Sequence, residues 1–136
     1  MRLQLTHTFL YVQDQDEALA FYTGPVGLEP RSDANLDFMR WLTVGPPDQP
    51  DVEIGLMAVG PPLPPADEEP VRRLLAKGSL PAVIFATDDC DATFERLQAA
   101  GAEVMQEPID QAYGVRDCAF RDPSGNHIRF SQALAG

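Results

Sequence analysis

The 136-residue sequence predicts an α+β fold made of two similar βαβββ modules. Each half of the chain begins with a segment rich in β-forming residues, continues into a helix with acidic capping residues, and ends in short strands. The two halves repeat this order at a spacing of about 75 residues, as an internal duplication would. A proline-rich segment separates them. With 44% hydrophobic residues, the chain has enough apolar material for one compact domain.

Residues 1–58 are predicted to form the first module. The segment 6–12 alternates polar and apolar residues, which indicates a strand with two different faces. A helix is expected over residues 14–22, because acidic residues suited to an N-cap precede an apolar stripe. Gly24-Pro25 and Gly27 are expected to end it. Three short strands are predicted next, at residues 28–31, 40–44 and 52–57.

Residues 59–78 are predicted to be a linker. Four prolines occur within five residues at positions 61–65, which favours extended, polyproline-like backbone. Residues 71–77 then have the composition of a short helix that ends at Gly78. A plain spacer between the modules is one interpretation of this segment, and a lid over a pocket is the other.

Residues 79–136 are predicted to form the second module. A strand is expected over residues 82–87, followed by a helix capped by Asp88 and Asp89 and closed by Gly101. Strands are predicted at residues 103–105 and 113–121. The chain then enters a hairpin over residues 120–130. Asp122-Pro123-Ser124-Gly125-Asn126 is its turn, because each of these residues has a backbone reason to occupy one.

The composition excludes several classes of partner. A formal net charge of −11 is opposite to the basic footprint that nucleic acids and anionic membrane surfaces require, whereas it would steer a cationic ligand favourably. Neither a membrane span nor a secretory signal is expected. The two cysteines, Cys90 and Cys118, lack metal-type spacing and are interpreted as ordinary thiols of a cytoplasmic protein.

Several segments together resemble one known superfamily. They are the strand with His7, the helix with Ala20-Phe21-Tyr22, the strand at residues 41–44, the junction at residues 85–92 and the final hairpin. In order and spacing they resemble the glyoxalase / bleomycin resistance protein / dioxygenase family, also called the vicinal oxygen chelate superfamily. The resemblance implies curled mixed sheets around a cavity, a small-molecule ligand and a homodimer.

The resemblance also implies where a metal would bind. The four ligand positions of the metal-dependent members correspond to His7, Glu53, Ala82 and Arg129, although a shift of two residues would replace Glu53 by Gly55. Only His7 and Glu53 are able to coordinate a cation, and Arg129 would repel one. We therefore expect no metal cofactor. The alternative is a divalent metal ion held by His7 and Glu53, with His127 as a displaced ligand.

Strand alternation identifies the candidate ligand-binding residues. His7, Phe9 and Tyr11 share one face of the first strand, and His127 and Arg129 share one face of the last. The full candidate set for the cavity wall is His7, Phe9, Tyr11, Trp41, Glu53, His127 and Arg129. For Arg129 three interpretations remain open: an ion pair with Glu53, a contact with a ligand carboxylate or phosphate, and a solvated strand end.

Three functions are compatible with these residues. The preferred one is a metal-free small-molecule-binding protein of the bleomycin-resistance type, which sequesters its ligand. The second is a metal-dependent lyase, isomerase or dioxygenase of the glyoxalase type, in which a metal polarises vicinal oxygens and a carboxylate moves a proton. The third is a metal-free enzyme or regulatory protein that uses Arg129 and Glu53 directly. The sequence leaves open whether the protein is an enzyme.

Overall fold

The fold consists of two four-stranded mixed sheets with helices packed on one face of each. The computed structural model describes residues 1–81 and 83–135. The first module contains β1 (His7–Val12), α1 (Gln15–Thr23), β2 (Glu29–Asn35), β3 (Arg40–Gly45) and β4 (Glu53–Ala58). The helix α2 (Pro65–Ala76) follows it. The second module contains β5 (Ile84–Ala86), α3 (Cys90–Ala99), β6 (Glu103–Asp110), β7 (Val115–Arg121) and β8 (His127–Ala133).

The two sheets repeat the same topology. Their strand orders are β1-β4-β3-β2 and β5-β8-β7-β6. In each sheet the first strand pairs in parallel with the last strand of its module, and the remaining neighbours are antiparallel. The sheets are curled and open, and the predicted α+β class with two βαβββ modules is confirmed.

The helices α1 and α3 begin at the predicted acidic caps. The side chain of Asp14 accepts a hydrogen bond from the backbone N–H of Glu17, and Asp89 does the same for Ala92. These bonds satisfy amide groups that the first turn of a helix leaves without partners. After α3, Gly101 adopts a φ of 87°, a left-handed conformation that favours glycine.

The linker is more helical than the sequence predicted. A short helix over residues 71–77 was expected after extended backbone, but α2 already begins at Pro65. Proline is favourable in a first helical turn, where its missing N–H would have no partner, and the acidic residues Asp67 and Glu68 complement the helix dipole there. Pro70 lies inside the helix, where it supplies no backbone N–H for the helical hydrogen-bond pattern.

Both β2 and β6 are longer than predicted. The sequence indicated residues 28–31 and 103–105, whereas the strands extend to Asn35 and Asp110. Both strands are largely exposed, so neither shows the alternation of buried and exposed residues that marks a half-buried strand. They are strands because β3 and β7 pair with them, across irregularities in the register.

One hydrophobic core joins the two modules. Buried residues of the first module, including Leu10, Tyr22 and Leu56, belong to the same cluster as Phe94 and Phe120 of the second. The helix α2 contributes Leu75, which is fully buried. The modules therefore fold against each other through their helix-covered faces, and the opposite faces of both sheets stay open.

The turn before β8 connects the modules through hydrogen bonds. Asp122 is buried, and its carboxylate accepts hydrogen bonds from the backbone N–H groups of Ser124, Gly125 and Asn126. It also accepts the hydroxyl hydrogen of Tyr22 in α1 at 2.6 Å and the side-chain amide of Asn126. The structural role predicted for this turn extends to docking one module on the other.

The structure also bears on membrane association. Among residues 1–81 and 83–135, no helix is long and apolar enough to cross a membrane.

Candidate ligand-binding site

The open face of the first sheet brings together five of the seven predicted site residues. His7 lies opposite Glu53 in the parallel β1–β4 pair, and Phe9 lies opposite Gly55. Tyr11 follows on the same face of β1, since side chains alternate along a strand. Trp41 of β3 is 5.9 Å from His7 and 5.8 Å from Phe9, measured between ring centroids. The alternation of side chains along the strands therefore places these residues on one surface.

A cavity of about 350 Å³ lies on this face. Phe9, Tyr11 and Trp41 line it from β1 and β3, and Met39 and Met57 add flexible sulfur-containing side chains. The segment 60–62, which includes two prolines of the linker, forms another part of its wall. A cavity of this size with aromatic and thioether walls is suited to a flat, largely apolar small molecule.

Gly55 makes room for one wall of the cavity. A Cβ atom at this position would overlap the ring of Phe9, and it would also lie 3.2 Å from the Met57 sulfur. The absence of a side chain on β4 therefore lets Phe9 lie across the sheet. In the sequence, Gly55 was only an alternative metal position. Its actual contribution depends on the β1–β4 register, which a single sequence does not reveal.

One end of the aromatic face is polar. The hydroxyl of Thr43 donates a hydrogen bond of 2.6 Å to Glu53 Oε1, and His7 Nε2 lies 3.5 Å from Glu53 Oε2. The side chains of His7 and Glu53 are 36% and 26% exposed, so both reach the surface. Thr43, which is fully buried, was not a predicted site residue. Its alternation with Trp41 on β3 would have indicated the shared face.

The remaining two predicted residues lie on the second sheet. Arg129 Nη1 donates to Gln106 Oε1 at 2.8 Å and forms an ion pair of 3.2 Å with Asp117. Its ion-pair partner is thus Asp117 and not Glu53, so the first interpretation of Arg129 is wrong within a single chain. Asp117 neighbours Arg129 through the β7–β8 pairing, which brings two strands of one sheet together.

The surroundings of Asp117 favour its charged form. Burial would raise its pKa, but hydrogen bonds from Gln111 and Gln106 and the charge of Arg129 outweigh that effect and lower the pKa. Asp117 is almost fully buried. Asp117 and Arg129 therefore neutralise each other's charge within the second sheet.

His127 lies beside two arginines. Its Nε2 atom is buried without a hydrogen-bond partner among the described residues. Burial and the nearby charges of Arg129 and Arg121 lower the pKa of His127, which favours the neutral ring. A neutral imidazole is a possible metal ligand, but both neighbouring cations oppose a metal ion at this position.

The residues at the metal positions implied by the family resemblance do not fit a metal centre. His7 and Glu53 supply two donors, Arg129 carries a compensated positive charge, and Ala82 lies outside the described residues. Across the described parts of the chain, no three His, Cys, Asp or Glu side chains form a group that would hold a metal ion. Open catalytic zinc sites use three protein ligands, so one pair is insufficient.

Comparison with protein families identifies the chain. Residues 4–130 match the family model described as the Glyoxalase/Bleomycin resistance protein/Dioxygenase superfamily. The chain belongs to this superfamily. The match covers the first sheet, the linker and the whole candidate site, and it ends within β8 of the second sheet.

Several relatives of this superfamily member align over almost its full length. The YurT protein of Bacillus subtilis (strain 168) is 34% identical over 131 residues, which are 96% of this chain and 99% of YurT. The crystal structure of UcmS2 has a TM-score of 0.89 at 41% identity and covers 96% of this chain and 98% of its own. TnmS3, described as an antibiotic binding protein from Streptomyces sp. CB03234, has a TM-score of 0.77 at 31% identity, with 97% of each chain covered.

The two thiols lie away from the candidate site in the core of this superfamily member. Cys90 and Cys118 are both buried and not disulfide-bonded. Burial raises the pKa of Cys90, and burial together with the neighbouring Cys90 raises that of Cys118 to about 12. Both sulfurs are therefore held as thiols, so the helix start at Cys90 does not produce a reactive thiolate.

Proposed function

We propose that this protein binds a flat, largely apolar small molecule in the cavity of the first sheet and sequesters it without a metal cofactor. The observation that carries the proposal is the cavity of about 350 Å³ walled by Phe9, Tyr11, Trp41 and two methionines. Burying an aromatic ligand against such walls supplies binding free energy without any covalent step. The description of TnmS3 as an antibiotic binding protein supports an antibiotic-like ligand.

A homodimer is part of the proposal. On the open faces Phe9 is 52% exposed and Ile84 is 70% exposed, although both are large apolar residues. A second copy of the chain placed over these faces would bury them and complete the walls of the cavity. Light scattering on the purified protein tests this, and a monomeric mass at micromolar concentration contradicts it.

The absence of a metal cofactor is supported by the donor set, because His7 and Glu53 are only two ligands. Elemental analysis after mild dialysis is expected to give well under one equivalent of bound transition metal per chain. Stoichiometric zinc, nickel, iron or manganese contradicts this part of the proposal. A cytoplasmic location is proposed as well, supported by two thiols that are not disulfide-bonded.

The binding function is tested with Trp41, the single tryptophan of the sequence, as the reporter. Titration with anthracenemethanol, a neutral and flat probe, is expected to quench Trp41 fluorescence saturably. Tyr11→Ala removes part of the cavity wall and is expected to weaken binding at least about fivefold, because an aromatic contact surface is lost. The matched control is Tyr113→Ala, since Tyr113 is 72% exposed and does not line the cavity.

Two results contradict the binding function. One is the absence of saturable quenching with the unmodified protein. The other is an equal loss of affinity in the Tyr11 and Tyr113 variants, which would mean that the fluorescence change does not report binding in the cavity. Circular dichroism of each variant confirms that the fold is retained before the titrations are compared.

A further inference from the structure

Both oxygens of the Glu53 carboxylate have neighbours in the first sheet, and neither neighbour is a lysine or an arginine. One of its oxygens accepts the Thr43 hydrogen bond, and the other lies 3.5 Å from His7 Nε2. Within residues 1–81 and 83–135, no lysine or arginine forms an ion pair with it. On the second sheet, in contrast, the carboxylate of Asp117 is paired with Arg129. Glu53 therefore presents negative charge at the polar end of the aromatic face.

Trp41 connects this charge to the cavity. Its ring lines the cavity together with Phe9, and its centroid is 5.9 Å from that of His7, the residue beside Glu53. His7 and Glu53 are not among the residues that line the cavity, but they form the strand pair next to Phe9 and Gly55 on the same face. A short substituent on a ligand that lies flat against Trp41 and Phe9 would therefore extend toward Glu53. A positively charged substituent there would meet a carboxylate, which attracts cations, beside aromatic rings whose faces also attract them.

We propose that the ligand carries a protonated amino group and that Glu53 binds it while the flat apolar part of the ligand fills the cavity. This inference rests on the proposed binding function and specifies its ligand class as flat aromatic compounds that carry a protonated aliphatic amine on a short flexible arm. Thr43 holds one oxygen of Glu53 in place, so the carboxylate is oriented before the ligand arrives. The net charge of −11 favours the approach of a cation to the whole molecule.

The test compares two probes that share one skeleton. Aminomethylanthracene carries a protonated amine at neutral pH, and anthracenemethanol has a hydroxyl in its place. With a chelator present to remove metal ions, Trp41 quenching is expected to show about tenfold tighter binding of the amine, the size of a partly buried charge-assisted hydrogen bond. Increasing the ionic strength is expected to reduce this preference.

Glu53→Gln is the decisive variant, because it removes the charge and retains a group that Thr43 can hydrogen bond. It is expected to lower the affinity for the amine about tenfold and to change the affinity for the alcohol by less than about twofold. Glu95→Gln is the matched control. Glu95 is exposed on α3 and outside the cavity of the first sheet, so this variant changes net charge equally and is expected to keep the preference.

The outcomes separate this inference from the proposed function. If neither probe binds, the proposed function itself fails. If both bind equally to the unmodified protein, or if Glu53→Gln keeps the preference for the amine, the cavity binds ligands but the amine subsite is refuted.

Discussion

The hydrogen bond between Tyr22 and Asp122 is predicted to hold the two modules together. Tyr22 is fully buried in α1, and its hydroxyl lies 2.6 Å from the Asp122 carboxylate in the turn before β8. Tyr22→Phe removes this donor and leaves the ring in place. The oxygen of Asp122 that accepts the Tyr22 hydrogen bond, Oδ2, also accepts one from the side-chain amide of Asn126. In Tyr22→Phe this oxygen therefore loses one of two donors and is not left without a partner.

The expected loss of stability follows from this geometry. A hydrogen bond to a charged group contributes about 1.5–3 kcal/mol, and the remaining donors to Asp122 favour a loss of about 2 kcal/mol. For a chain of this length the midpoint of thermal unfolding is expected to fall by roughly 6–10 °C. Urea unfolding followed by circular dichroism measures the free energy directly. Tyr113→Phe is the control, since Tyr113 is 72% exposed.

The same residue produces a dependence on pH. Burial, together with the charge and the hydrogen bond of Asp122, raises the pKa of Tyr22 well above its ordinary value. In the unfolded chain this phenol ionises near about pH 10, whereas the folded chain keeps it protonated, so stability falls as the pH rises above about 10. Tyr22→Phe is expected to lack this part of the alkaline decline.

Two results would refute the reasoning on Tyr22. The first is a loss of stability in Tyr22→Phe that equals the loss in Tyr113→Phe, because the buried hydroxyl would then contribute nothing beyond a surface one. The second is an alkaline decline of unchanged size in the Tyr22 variant. Either result would mean that the module contact is held by apolar packing alone.

Two further predictions concern the glycine beneath Phe9 and the buried thiols. Gly55→Ala is expected to displace the Phe9 ring, because the added Cβ atom would overlap it. Anthracenemethanol binding, measured by Trp41 quenching, is expected to weaken about fivefold or more. Unchanged affinity would show that the position of the Phe9 ring is unimportant for binding. In the folded protein at about pH 8, a colorimetric thiol reagent is expected to react with neither Cys90 nor Cys118, because burial keeps both protonated, and with both after denaturation. Fast reaction of either thiol without denaturant contradicts their burial.

Much of the fold was predictable because local rules and the tertiary structure agree. Acidic caps before α1 and α3, glycine after α3 and turn residues before β8 all occupy the positions that their backbone chemistry favours. The linker helix was predicted too short. A proline at position 70 argues against a helix, but α2 is anchored where Leu75 is fully buried, and this burial stabilises the whole segment.

The candidate site was predictable in part. Alternation along β1 predicted that His7, Phe9 and Tyr11 share one face, and the structure places the predicted residues Trp41 and Glu53 beside them. The linker segment 60–62 forms part of the cavity wall. The lid interpretation had considered such a contact, but which part of a loop touches a cavity depends on packing between distant segments.

Arg129 shows most clearly what the sequence alone does not reveal. The sequence by itself determined the repeated βαβββ order, the faces of the strands and the substitution of an arginine at a position where the family resemblance implies a metal ligand. Only the tertiary structure decided that Asp117 neutralises this arginine and that, among the described residues, Glu53 has no lysine or arginine partner. The periodicity of side chains along a strand is a local property that can be read from the sequence. The ion-pair partner of a charged residue depends instead on which strands become neighbours in the fold.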